Sequence, residues 1–305
     1  KVETSGFGHI FLYSMNYSIG FIIIYILGFT LATKQPAMTA SALVRALQEG
    51  FKQKTQDKKN YKYKEFAVFF ARVFRSQFIA FVGNVMIAFP VSLLGIWAID
   101  QIFHYNIAKE KWPILINDLN PIYSAAIFHA AIAGVFLFLS GIIAGSIANR
   151  DKHNHIYYRI QEHPLLKLSL GKKWTKKLAS VYENKWAGII SNFWFGVFMG
   201  STVFIGIFFG LNIDVRHITF ASGNFAMALY GADFYVTQEM FLWSILGIGL
   251  IGLVNFMVSF SLSLGLAFRS RNIPLSELRQ VAQAIFRYFL YKPSHFFFPP
   301  KKNTL

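Results

Sequence analysis

The sequence contains no cysteine, which excludes disulfides and thiolate metal sites. Charge is scarce: 14% of residues are Asp, Glu, Lys or Arg, where an average soluble domain carries roughly 25%. Such a chain has too little polar surface to cover a soluble globule. Acid is scarcer than base, with 14 Asp and Glu against 30 Lys and Arg. Walker A, HExxH and GxSxG motifs are missing, as are carboxylates paired at a useful spacing, so no enzyme signature is present. With scattered His and no Cys, neither a metal nor another cofactor is expected. The apolar runs contain no Asp, Glu, Lys or Arg, which disfavours an ion-coupled pump.

Long apolar runs dominate instead. Hydrophobic residues make up 54% of the chain, with 34 Phe. Trp186 to Ile213 and Met240 to Phe268 are charge-free over 28 and 29 residues, and a helix needs about 20 to cross a bilayer. Between them, Ile218 to Ala232 is apolar but only 15 residues long. It is too short to span and reads as a re-entrant or interfacial segment, or a hairpin packed on other helices. The reading is an all-α polytopic transmembrane bundle in a single domain. Its five spans fall at about 8–32, 76–99, 122–148, 189–212 and 240–268, with the short segment at 218–232.

Between the spans the chain is polar. Thr33 can cap a helix and Pro36 suits its first turn. Ala37 to Phe51 then reads as a helix with Leu43, Leu47 and Phe51 on one face. QKTQDKKNYKYKE reads as a lysine-rich turn, Pro90 as a kink, and Asp100 to Asn120 as a short loop. Basic helical pieces follow over 149–185, and Ser276 to Tyr291 is basic and amphipathic. Segments 33–75, 149–185 and 269–305 hold 10, 9 and 7 of the 30 Lys and Arg. By the positive-inside rule these segments are cytoplasmic, with the N-terminus of this sequence outside and the C-terminus inside. Lys1 stands where an initiator Met would, and no signal peptide precedes Gly8. The sequence is therefore read as the C-terminal part of a longer chain.

Polar groups at membrane depth are costly and mark candidate sites. Asn16, Asn84, His129, Asn192 and Asn255 are the candidates, one for each span. The alternative for each Asn is interhelical hydrogen bonding. His129 is the one ionisable side chain well inside a span and could titrate near neutral pH. In the outer loop, Asp214, Arg216 and His217 come together. Asp214 and Arg216 can pair, or Arg216 can contact a phosphate or carboxylate through its fork of donors. Gly141/Gly145, Gly196/Gly200 and Gly206/Gly210 have the GxxxG spacing that allows helices to approach closely, internally or between copies.

FLYSMNYSIGF, Phe29 to Ala40, His129 to Gly145 and Gly210 to Ala226 together resemble the bacterial polytopic membrane family labelled site-specific recombinase, the Gcr type. The resemblance runs from about Phe11 to the basic tail. It implies a bacterial inner membrane and a longer N-terminus, with a soluble helical region and one further span, and its label implies recombination of DNA. That chemistry needs a nucleophilic Ser or Tyr among arginines beside DNA, whereas the arginines here flank apolar spans. No catalytic residue carries over.

The expected function is a non-enzymatic subunit or accessory of a cell-envelope complex. The alternative is a transporter or lipid-handling protein with a cavity between the spans, and membrane-associated recombination comes third. Expected partners are the lipid bilayer, with anionic lipids at the basic segments, and another protein or a second copy. Nucleic acid is not expected.

Overall fold

A computed structural model describes residues 5–28 and 56–300 apart from Asn212 and Leu275, with side chains in the second stretch from Tyr63 onward. The expected helix over 37–51, with Thr33 and Pro36, lies outside these residues. Among the described residues every regular element is helical. The helices are α1 (Gly6–Ile26), α2 (Gln56–Phe103), α3 (Trp112–Asn117), α4 (Ala126–His153), α5 (Ile156–Gln161), α6 (Pro164–Phe208), α7 (Ile218–Gly231), α8 (Gln238–Ser270) and α9 (Glu277–Tyr291). A 3-10 turn, Pro293–Phe296, follows α9. Five of them, α1, α2, α4, α6 and α8, are long and apolar enough to cross a membrane, as an all-α polytopic bundle requires.

Local chemistry sets the helix ends. Ser5 caps α1 by accepting from the Gly8 amide at 3.2 Å, and Thr237 caps α8 through the Met240 amide at 3.2 Å. Gly210, at φ +66°, closes α6 in a Schellman arrangement with Leu211 N–H donating to Gly206 C=O at 2.7 Å. The lysine-rich stretch read as a turn is helix from Gln56 onward. QDKKNYKYKE has neither Gly nor Pro and is rich in helix-forming Lys, Gln and Glu, so the apolar helix extends back through it. The loop over 100–120 carries α3, with Pro113 in its first turn.

The chain forms two compact units, residues 1–34 with 136–213 and residues 35–135 with 214–305. In the first unit α1 packs antiparallel to α6, through Ser14, Ser18 and Phe21. Phe21 meets Phe195 at a ring distance of 4.7 Å, and Ser18 Oγ donates to Phe193 C=O at 2.8 Å. A Cβ at Gly196 or Gly200 would overlap the α1 backbone at Ser18 or Ser14. This GxxxG pair is therefore the seat of α1, and no residue larger than Gly fits there. Ser191 Oγ donates to Ser140 C=O at 2.8 Å, joining α6 to α4. Ahead of the apolar part of α6, Gly171 at φ +78° breaks the helix, and Thr175 Oγ1 donates back to Leu166 C=O at 3.0 Å.

In the second unit α2 and α8 run antiparallel around two apolar clusters. One joins Tyr63, Phe66 and Phe70 of α2 with Phe256, Phe260 and Phe268 of α8, and is covered by Val281 of α9 and by Phe296. The tail thus folds back over the ends of α2 and α8 that carry Arg75 and Arg269. The other cluster holds Leu119, Ala130, Ile218, Phe225 and Ile251, and α7 runs through it.

Candidate functional site

α7 is a half-length helix, about 20 Å from end to end. Its C-terminal end lies beside the end of α2, where Tyr230 Oη donates to Asp100 Oδ2 at 2.7 Å. Its N-terminal end lies beside the middle of α8, where the Ile218 amide donates to Asn255 Oδ1 at 3.3 Å. Asn255 is about 24 Å along α8 from Glu239 and about 21 Å from Arg269. Residues 216–218 therefore lie at the level of the α8 midpoint, and α7 leaves that level as helix. Small residues allow this: Ala221, Ser222, Gly223 and Ala226 are buried, and Ser222 Oγ donates to Val85 C=O at 3.2 Å.

Asn255 is the node of this region. It is fully buried, and its Nδ2 donates to Ala130 C=O at 2.8 Å and to Arg216 C=O at 3.0 Å. With the Ile218 bond it ties α8 to α4 and to both sides of the α7 entry. The Arg216 amide donates to His129 C=O at 3.3 Å. Backbone bonds thus hold Arg216 against α4 and α8 before its side chain makes any contact.

The Arg216 side chain lies between two carboxylates. Nη2 reaches Asp118 Oδ2 at 2.7 Å, and Nη1 pairs with Asp214 Oδ2. Asp214 Oδ1 also accepts from the Val215 amide at 2.7 Å. The Arg216 side chain is 13% exposed, whereas both carboxylate side chains are about one-third exposed. Two negative charges share one positive charge, so the cluster has a surplus carboxylate. Both terminal nitrogens of Arg216 are engaged, and an incoming anion would meet repulsion from Asp118 and Asp214.

The sequence candidates divide between the two units. Asn16 and Asn192 belong to the first: Asn16 is exposed on α1, and Asn192 is buried on α6 with Nδ2 donating to Gly188 C=O of its own helix at 3.0 Å. Asn84, His129, Asn255, Asp214, Arg216 and His217 belong to the second. Asn84 and His129 are both buried, and Asn84 Nδ2 and His129 Nε2 find no hydrogen-bond partner among the described residues. His217 is wholly buried immediately before α7. The structure brings together Asn255, Arg216, Asp214 and the backbone of His129. No group of three or more His, Asp or Glu able to hold a metal occurs among the described residues.

Asp118 is the member of this cluster that the sequence candidates omitted. It lies in the 100–120 connection, which the count of Lys and Arg puts on the same side as Asp214 and Arg216. That shared side was the available signal. The depth had no signal, because it depends on a fold-back that composition does not encode.

Among curated proteins and solved structures none matches this chain. A family match covers residues 1–299 and carries the description site-specific recombinase. Since those residues are nearly the whole chain, it belongs to the site-specific recombinase family.

Proposed function

We propose that this protein is a membrane transporter or lipid-handling protein whose pathway passes the Asp118–Arg216–Asp214 cluster. The observation that carries the reading is the depth of that cluster, bonded through Arg216 to the midpoint of α8. Charged side chains at bilayer depth face a partner or water rather than lipid. Two carboxylates one-third exposed at that level imply a polar path reaching them. A half-helix that returns from mid-bilayer beside such a cluster is the type of broken element that transporters use for binding. The surplus carboxylate favours a proton or a cationic group over an anion. Ion coupling in particular was disfavoured by the sequence, because every charge concerned lies outside the five apolar runs.

The test is uptake into liposomes that contain the full-length protein, with a pH-sensitive dye inside and an imposed proton gradient. Proton entry that Asp118→Asn lowers at least tenfold supports the reading. A membrane equally tight with and without the protein, across protons, monovalent cations and lipid scrambling, would refute it.

A second reading, a non-enzymatic subunit of an inner-membrane envelope complex, draws support from the basic half of α6, where apolar side chains stand exposed. Extraction in mild detergent followed by native mass spectrometry tests it, and a protein that emerges alone counts against it. DNA strand exchange receives little support from the site, since Arg216 is flanked by carboxylates that repel phosphate.

A further inference from the structure

Two of the long helices extend beyond their apolar parts into basic sequence, and the chain treats the extensions differently. The Tyr63–Phe74 end of α2 is packed against α8, α9 and Phe296. Among the described residues the basic end of α6 is covered on one side only. Thr175 and Ala179 are buried there, and Tyr182 Oη donates to Asp151 Oδ2 at 3.0 Å on that covered side. On another side Trp174, Leu178 and Val181 follow helical spacing and are 61%, 43% and 51% exposed. Just before the Gly171 break, Leu165 and Leu168 add 69% and 85%. Lys173 and Lys177 border the stripe, with Lys177 Nζ placed over the Trp174 ring at 4.9 Å from its centroid. Between Pro164 and Lys185 there are six lysines and a single acid, Glu183.

We propose that this stripe is a docking surface for an acidic amphipathic helix of a partner protein. Three observations select that occupant. Gly171 is the one break within α6, so the helix from Lys172 onward continues unbroken into the span. Trp174 then stands about 18 Å along the axis from Trp186, at the start of the charge-free run. That is beyond the headgroup layer when the span crosses the bilayer upright, so lipid does not cover the Trp174 and Leu178 part of the stripe. A second copy of the same chain would set lysines against lysines. A helix with leucines at matching spacing and glutamates beside them meets both the apolar stripe and its basic border. The proposal goes beyond the transport reading, because it concerns a different unit of the chain and stands if transport fails.

The experiment uses full-length protein in nanodiscs of neutral lipid and a fluorescein-labelled synthetic Leu/Glu amphipathic peptide, with a scrambled peptide of the same composition as control. Anisotropy should show saturable binding of the patterned peptide, at least tenfold tighter than the scrambled one. Trp174→Ala, and separately Lys173→Glu with Lys177→Glu, should each weaken it at least tenfold without changing the thermal unfolding of the protein. Equal binding of the two peptides, or no loss in either variant, would overturn the proposal. A dansyl group on Ser180→Cys, which introduces the chain's sole thiol, distinguishes the other occupants. A blue shift when neutral lipid is replaced by anionic lipid would mean that the membrane takes the stripe. A shift that follows protein concentration would mean that a second copy does. Either result also overturns the proposal.

Discussion

Replacing Gly196 and Gly200 by Ala offers the sharpest test of the first unit. Gly200 would place its new Cβ 2.5 Å from Ser14 Cα, and Gly196 would place one 2.5 Å from Ser18 Oγ. Comfortable contact between carbon atoms lies at about 3.5–4.0 Å, so α1 must move away by roughly 1 Å. Both obstacles include helix backbone, which cannot rotate aside as a side chain does. Overpacking of this type costs about 1–3 kcal/mol at each site. The gain in helix propensity returns at most about 1 kcal/mol per substitution. Displacing α1 also loosens the Ser18 bond to Phe193 C=O, worth about 0.6 kcal/mol in a membrane bundle. The net expectation is a loss of about 1–5 kcal/mol for the double variant. Gly145 has the same GxxxG spacing, but a Cβ there meets nothing within 4 Å. Gly145→Ala should therefore be neutral or slightly stabilising. The assay is thermal unfolding of full-length protein in one detergent, followed by intrinsic fluorescence. A double variant that melts at the wild-type temperature, or a Gly145→Ala that loses as much, would refute the packing account.

Further outcomes follow from the second unit. Asn255→Ala removes three bonds from a fully buried side chain; at about 0.6 kcal/mol each the loss is about 2 kcal/mol, and hydrogen exchange at the start of α7 should rise. Unchanged exchange at Ile218 would show that Asn255 does not hold that end. Arg216→Gln leaves Asp118 and Asp214 facing one another, and should cost about 1–3 kcal/mol at neutral pH because each carboxylate is partly exposed. The Asp118→Asn, Arg216→Gln double variant should recover part of that loss, and a double variant as unstable as Arg216→Gln alone would exclude carboxylate repulsion as its cause. In the tail, burial first, then Lys292 and Arg75, hold the His295 imidazole below its usual pKa. The unfolded tail therefore binds a proton more readily than the folded one, so the contribution is full above about pH 6.5 and is lost as pH falls below it. His295 Nδ1 lies 2.7 Å from Tyr288 Oη, and Arg75 Nη1 donates to His295 C=O at 3.0 Å. Protease cleavage after Arg287 should accelerate between pH 7.5 and pH 5.5 in wild type but not in His295→Gln. Equal acceleration in both would remove His295 from the explanation.

What the sequence determined is the solvent of each segment. Runs of about 20 or more apolar residues must form helices in lipid, because no water is present there to satisfy the backbone. Helical content and the five long apolar elements were legible for that reason, and the break at Ile218 to Ala232 followed from its length. Composition could not give the depth of that break. Composition leaves open where a 14-residue helix packs, and in the structure Asn255 bonds its Ile218 amide in the middle of α8. Asp118 belongs beside Arg216 for the same reason: the two are 98 residues apart, and only packing of α3, α4 and α7 around α8 brings them together. The glycines show the division most simply. Gly141/Gly145 and Gly196/Gly200 have identical spacing, yet Gly145 faces open space while Gly196 and Gly200 touch the backbone of α1. Spacing states that a close approach is possible, and tertiary structure decides which helix makes it.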